Sequence, residues 1–289
     1  MLKGENARRS DVNQPWEQDN QAWWDWYVTL ADNSGHKAAD LLDVAPLPFV
    51  DLPSDSEIAE EMRLPFELTT QHQEDFRRDG FVKLANVLSP GAVIKLRKEL
   101  IRLLERAFMV SLDGGVRDRF LSIELAWPEN SLIRSYVISE RIGRICAELL
   151  DVKSVRLYHD NILSKEPGCG RTPWHFDDHH FPLATDNVVT AWIPAQPIPI
   201  TMGPLAFAKP LGVFNLVKDI EFSKFDTSYD RQISEVFNTN KVAIEDGAFD
   251  IGEVSFHHNR SFHTAERNQT RQSRVGATPR RRLIFQLHV

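Results

Sequence analysis

A chain of 289 residues with 42% hydrophobic and 26% charged side chains is long enough to bury roughly 75% of its unfolded surface in one or two globular domains. Its net charge of −7 speaks against general nucleic-acid affinity, and no apolar run approaches the roughly 20 residues that cross a bilayer. The opening MLKGENARRSDVNQPWEQ has no apolar signal core and Cys146 and Cys169 make no disulfide framework, so a cytoplasmic protein with a small-molecule substrate, no nucleic-acid partner and no membrane partner is expected.

Residues 1–65 read as an arm distinct from the rest. Trp16, Trp23, Trp24 and Trp26 crowd into QPWEQDNQAWWDWYVTLADN, and the Pro-rich APLPFVDLP follows. A short helix over Asp19–Leu30 docking its aromatic face on the main domain is expected. The same aromatics are also candidates for an active-site cover or for a contact between copies in a homo-oligomer. From Thr69 the pattern is regular: a capped helix stopped by Gly80, a strand over Phe81–Leu84, then a helix in PGAVIKLRKELIRLLERAF. There Val93, Leu96, Leu100, Leu103, Leu104 and Phe108 form one stripe at helical spacing. A third helix fits Ser139–Leu150, with Ile142, Ile145, Leu149 and Leu150 inward.

After Asp151 the texture changes to short strands between turns: SVRLYHDNILSKEP, TPWHFDD, NVVTAWIPAQPI, GPLAFAK, GEVSFHH and RRLIFQLHV. Successive strands without alternating helices imply an antiparallel sandwich or barrel backed by the earlier helices, an α+β, mainly β chain. Between them, about 211–246 form a polar insert with little periodicity, either a lid over the barrel mouth or a surface excursion.

The chemistry concentrates in TPWHFDDHHFPL. On a strand, His175 and Asp177 two apart project from one face and supply two cis ligands to a metal. A distant second histidine would complete a 2-His-1-carboxylate facial triad, the ligand set of non-haem Fe(II) oxygenases. His257, His258, His263 and His288 in the late strands are the candidates. Of the neighbouring His179 and His180, only His179 shares the strand face of His175, and both are read as pocket lining.

WHFDDHHFPL, VVTAWIPAQP, MGPLAF and GEVSFHHNRSFHTAERNQT, in that order, together with the earlier EDFRRDGFVKLANVLSP, resemble the phytanoyl-CoA dioxygenase family of Fe(II)/2-oxoglutarate oxygenases over about residues 66–289. The resemblance implies a jelly-roll, cupin-like double-stranded β-helix. It makes His263, heading an H-x-x-x-x-N-x-T segment through Asn268 and Thr270, the third ligand beside His175 and Asp177. His257 and His258 then support the site without binding the metal. It further implies Fe(II), 2-oxoglutarate and O2, with release of succinate and CO2 and hydroxylation of an unactivated C–H bond as the default outcome. Asp177 leaves no coordination position for a halide. Where the family usually has a Pro-Gly-Ser-His turn, this chain has Lys209-Pro210-Leu211-Gly212, so the adjoining substrate loop is expected to differ.

The keto acid needs a cation for its distal carboxylate, and arginine suits it. Counting from His263 selects Arg274, yet VGATP after it makes a poor strand. Taking RRLIFQLHV as the last strand, Leu283, Phe285, Leu287 and Val289 form the apolar face, so Arg280, Arg282, Ile284, Gln286 and His288 face inward. Parity therefore favours Arg282, with Arg274 and Arg280 as alternates, and turns the basic cluster into barrel lining. Trp192 matches a family tryptophan beside the co-substrate, and His159 and Asn161 share a face as candidate substrate contacts. A metal enzyme without a keto acid, or a non-enzymatic binding protein on the same barrel, are the competing readings.

Overall fold

The computed structural model describes residues 41–112, 118–180, 183–221, 223 and 228–283, with backbone alone at 179, 180 and 281–283. The aromatic helix expected at Asp19–Leu30 lies outside the described residues. Helix α1 (Asp55–Glu61) falls inside the segment read as an arm, and is closed by a capping box between Ser54 and Glu57.

Helix α2 (Thr70–Asp79) begins where Thr69 Oγ1 accepts the amide of His72 at 3.2 Å. It ends at Gly80, whose φ of 80° is the left-handed conformation that glycine adopts without steric cost. Strand β1 (Phe81–Leu84) follows. Helix α3 (Pro90–Phe108) starts at the Ser89 cap with proline in its first turn, and buries Val93, Leu96, Leu100 and Leu104 as the stripe requires. Truncating one such residue, Leu100→Ala, removes about 2–5 kcal/mol of stability. Helices α4 (Ser131–Val137) and α5 (Glu140–Leu149) complete the layer, α4 being a helix that the apolar spacing did not announce.

Two antiparallel sheets form the jelly roll. The six-stranded sheet runs β1, β8 (Val254–His258), β5 (Val188–Pro194), β10 (Arg274–Leu283), β3 (Val155–Lys165), β2 (Phe120–Glu124). The four-stranded sheet runs β4 (Thr172–His175), β9 (His263–Ala265), β6 (Leu205–Lys209), β7 (Ala243–Glu245). Alternation along each strand divides the larger sheet into two functional faces. Val189, Ala191, Ile193, Val254, Phe256, Val275 and Ala277 join the helices in the main core. Their neighbours Thr190, Trp192, His257, Arg274, Thr278 and Arg280 line an internal cavity instead. The last described strand thus starts earlier than RRLIFQLHV suggests and includes VGATP. Pro279, which cannot donate to a ladder, sits where the pairing of β10 with β5 skips from Ala277 to Arg280.

The segment 211–246 is more regular than its composition suggests. It contains α6 (Phe214–Val217) and α7 (Ser228–Thr239). Tyr229, Ile233 and Phe237, spaced by four, pack on Trp174, Phe176 and Phe262 in a second core. Trp174 and Phe237 meet edge to face, with ring centroids 5.2 Å apart. Asp230 ties the helix to β4, accepting the Trp174 amide at 2.7 Å and pairing with Arg171. This part of the insert therefore braces the strand that delivers His175.

Candidate metal centre

His175 ends β4, opposite His263 at the start of β9. Asp177 does not continue the strand: it opens a 3-10 turn over Asp177–His180. The carboxylate is brought to the imidazoles by this turn and not by strand alternation, so the parity reasoning that placed His179 beside His175 does not apply. The side chain of His179 lies outside the described residues.

One ligand atom from each of His175, Asp177 and His263 lies within 4.8 Å of the others. The two imidazole rings are 4.1 Å apart. Each histidine donates its Nδ1–H to a backbone carbonyl, His175 to Pro173 at 2.8 Å and His263 to Ser261 at 3.0 Å. Those bonds fix the tautomer and leave both Nε2 lone pairs for a metal. Burial keeps the two imidazoles below their ordinary pKa, neutral and able to ligate. Burial pushes the Asp177 carboxyl the other way, but Arg280, His257 and His263 outweigh it and hold the group well below the usual carboxylate range. The donor set, two neutral imidazoles and one carboxylate, fits a divalent iron.

The carboxylate is gripped from several sides. Thr190 donates to Asp177 Oδ2 at 2.7 Å, Arg280 Nη2 donates to Oδ1 at 3.0 Å, and His257 Nε2 lies 3.5 Å from Oδ2. Thr190 was not singled out in the sequence, although it sits two residues before Trp192 and so shares its face.

These groups open on a cavity of about 60 Å³. Asn161 lines it, and His159 bonds Asn161 from the same strand, Nε2 to Oδ1 at 3.1 Å. Trp192 and Arg274 lie together along its wall, the guanidinium carbon 5.5 Å from the indole. Arg274 is 3% exposed and donates to the carbonyl of Gly203, and among the described residues no carboxylate pairs with it. Burial pushes its pKa down to about 10. Gly203 has a φ of 68°, and a Cβ there would run into the Glu266 carbonyl, so this position is reserved for glycine. Arg282 lies on the same strand with its backbone opposite Val188; its side chain is outside the described residues.

A sequence model of the family described as phytanoyl-CoA dioxygenase matches residues 76–276. The chain belongs to the phytanoyl-CoA dioxygenase family. This is a family of iron- and 2-oxoglutarate-dependent oxygenases, and iron and 2-oxoglutarate are its cofactors. No curated protein matches the chain. Among solved structures it is similar to the non-heme alpha ketoglutarate dependent carbocyclase SnoK from nogalamycin biosynthesis, at 22% identity and a TM-score of 0.62, covering 75% of this chain and 86% of that one. The epimerase SnoN of nogalamycin biosynthesis follows, with 21% identity, a TM-score of 0.59, and coverage of 73% and 82%. EctD from S. alaskensis, solved with 2-oxoglutarate and 5-hydroxyectoine, is similar at 17% identity and a TM-score of 0.60, covering 75% of this chain and 77% of that one. Among the described residues no helix is long and apolar enough to cross a membrane.

Proposed function

We propose that the protein is an Fe(II)- and 2-oxoglutarate-dependent oxygenase that hydroxylates an unactivated C–H bond of a small molecule, with His175, Asp177 and His263 as the iron ligands. The observation that carries this reading is that His175 and His263, grouped with Asp177, line one cavity together with a buried arginine that has no carboxylate partner among the described residues. A metal site alone would suit many enzymes; a second, cationic subsite beside it asks for a ligand with an anionic tail.

Bound iron with 2-oxoglutarate and O2 supplies oxidative decarboxylation to succinate and CO2, and with it the power to attack a C–H bond. The chain's own residues set the stage for that chemistry. Arg274 would hold the distal carboxylate of the keto acid, and in doing so would satisfy a guanidinium that the fold buries at a cost. Trp192 walls that subsite. Thr190, His257 and Arg280 keep Asp177 ionised and oriented. Phe120, Leu163 and Leu205 give the cavity apolar lining that excludes water from the reacting carbon.

Arg274 is preferred to Arg282 because it is fully buried, touches Trp192 and has no counter-ion among the described residues, whereas the Arg282 side chain lies outside them. The test is formation of succinate from 2-oxoglutarate by purified protein with Fe(II), across organic acids, amino acids, acyl thioesters and natural-product scaffolds. His175→Ala and Asp177→Ala are expected to abolish it; turnover unchanged in either variant overturns the assignment. Absence of the weak visible charge-transfer band on anaerobic addition of 2-oxoglutarate would instead favour a metal enzyme that uses no keto acid.

A further inference from the structure

Two of the three candidate ligands are placed by strand pairing and the third is not. His175 and His263 stand opposite each other in the ladder of β4 and β9, and β6 pairs with β9 on its other side. The sheet thus fixes where both imidazoles start. Asp177 lies past the end of β4, at the start of the Asp177–His180 turn. Thr190, Arg280 and His257 reach its carboxylate oxygens, but those contacts orient a side chain and leave open what holds its backbone. A single 3-10 turn is short and weakly hydrogen-bonded, so it takes its position from what it is tied to.

Asn259, one residue past β8, supplies that tie. Its carbonyl accepts the Asp178 amide at 3.0 Å, and its Nδ2 donates to Asp178 Oδ1 at 2.9 Å. Main chain and side chain of one residue therefore clasp main chain and side chain of the other. The amide of Asn259 donates to the Val188 carbonyl at 3.1 Å, which anchors the clasp to β5, the strand that carries Thr190. Asn259 is 2% exposed, so its end of both bonds is shielded from competing water. Asp178 Oδ2 also faces Arg260 Nε at 3.9 Å, a partly exposed pair that contributes little beside the clasp. The same loop serves a second ligand, since the Ser261 carbonyl accepts from His263 Nδ1 at 3.0 Å. Asp177 and His263 are thus both oriented from residues 259–261.

We propose that Asn259 is a positioning residue for the metal centre, acting through Asp178 to hold the turn that presents the Asp177 carboxylate. The proposal rests on reading His175, Asp177 and His263 as the iron ligands. What Asn259 sets is the place of the Asp177 backbone relative to the two imidazoles, and through it the affinity of the three-ligand set for Fe(II). Losing an outer contact to a ligand costs roughly 10- to 100-fold in metal affinity. Asn259 acts one residue further off, so the lower end of that range is expected.

The test is anaerobic competition for Fe(II) between the full chain and a chromogenic chelator, at a temperature where circular dichroism shows each variant folded. Asn259→Ala and Asp178→Ala are each expected to raise the Fe(II) Kd about tenfold. The double variant should be no more than about threefold worse than the weaker-binding single one, because both substitutions cut the same link. Asp178→Asn keeps an acceptor for Asn259 Nδ2 while removing the charge, and should recover most of the loss. Leu100→Ala destabilises the helical layer by another route and should leave the Fe(II) Kd within about threefold of wild type. Unchanged affinity in both alanine variants overturns the proposal, as do losses that multiply in the double variant. An Asp178→Asn protein as weak as Asp178→Ala assigns the effect to charge, and an equal loss in Leu100→Ala assigns it to general destabilisation; either result overturns it too. The Asp178 side chain is 29% exposed, so its variants decide even where Asn259→Ala does not fold. Wild-type protein that binds no Fe(II), or binds it equally after His175→Ala, takes the proposal down with the centre itself and is thereby distinguished from failure of the clasp alone.

Discussion

Replacing Arg274 by methionine separates what this residue does for binding from what it costs the fold. The guanidinium is fully buried, and burial takes its pKa down from the ordinary arginine value to about 10. A folded pKa below the unfolded value means that the charged form is disfavoured on folding; the penalty is present in full below about pH 10 and disappears above the unfolded pKa. At about 1.4 kcal/mol per pKa unit the penalty is of order 3 kcal/mol. Arg274→Met removes it and gives up the hydrogen bond to Gly203, worth about 1–3 kcal/mol to a charged donor. The ligand-free variant should therefore melt at or a few degrees above the wild type. Binding should move the other way, because a buried carboxylate left without its partner costs about 3–5 kcal/mol, or roughly a 10²- to 10⁴-fold rise in Kd for 2-oxoglutarate. Anaerobic titration of the Fe(II) protein, followed through its visible charge-transfer band, measures the second quantity, and calorimetric melting of the apoprotein the first. A Kd within about fivefold of wild type would refute the assignment of Arg274 to the keto acid.

Three further outcomes follow from the same geometry. Thr190→Val deletes the 2.7 Å hydrogen bond to Asp177 Oδ2 without changing side-chain shape, and should weaken Fe(II) affinity by about 10- to 100-fold in a competition titration while leaving the melting temperature close to wild type. Gly203→Ala forces a Cβ against the Glu266 carbonyl at positive φ; it should cost about 1–3 kcal/mol by denaturant unfolding and weaken 2-oxoglutarate binding, since the strained residue's own carbonyl is the acceptor of Arg274. Burial holds His175 and His263 below their usual pKa and brings His258 down to about 4. The unfolded chain therefore takes up protons first, so apoprotein stability should fall as pH drops from about 6.5 towards 4, by about 3 kcal/mol from His258 alone; a flat melting temperature over that range contradicts the burial argument.

The helical layer was legible because its signals are local. Thr69 and Gly80 bound α2, and Ser89 and Pro90 start α3, through contacts within one turn of chain. The period of the α3 stripe similarly reports burial without reference to any partner. The insert 211–246 was read less well because α7 gains much of its order from outside itself: Tyr229, Ile233 and Phe237 share a core with Trp174, Phe176 and Phe262, residues of or beside the metal-bearing strand and turns. Its sequence looks polar because the face it presents is only as wide as those three side chains. The H-x-D pair shows how a correct grouping can have another cause. His175 leaves β4 and Asp177 opens a 3-10 turn, so the convergence depends on a turn that alternation does not describe. The third histidine could not be chosen by periodicity at all, since β8 and β9 bring both His257 and His263 against Asp177; the H-x-x-x-x-N-x-T context carried that choice.

Strand parity, which favoured Arg282, does not separate the three arginines. Arg274 and Arg280 line the same cavity face, and Arg282 continues the same even register opposite Val188. What separates them is position along the strand. Arg274 lies beside Trp192 with a carbonyl as acceptor, whereas Arg280 lies beside Asp177 and Thr190. VGATP looked unfit for a strand because it holds a glycine, a small residue and a proline. Two of these have a spatial reason: a Cβ on Gly276 would stand 3.0 Å from the Ile193 carbonyl and 3.6 Å from Trp192 Nε1, and Pro279 occupies a break in the ladder to β5. The features that lower β-propensity are thus those that let the strand pass close to Trp192 on its way between the two arginines. A weak strand signature next to a buried cation is what a cavity wall looks like in sequence, since the space a side chain would fill is kept for the ligand.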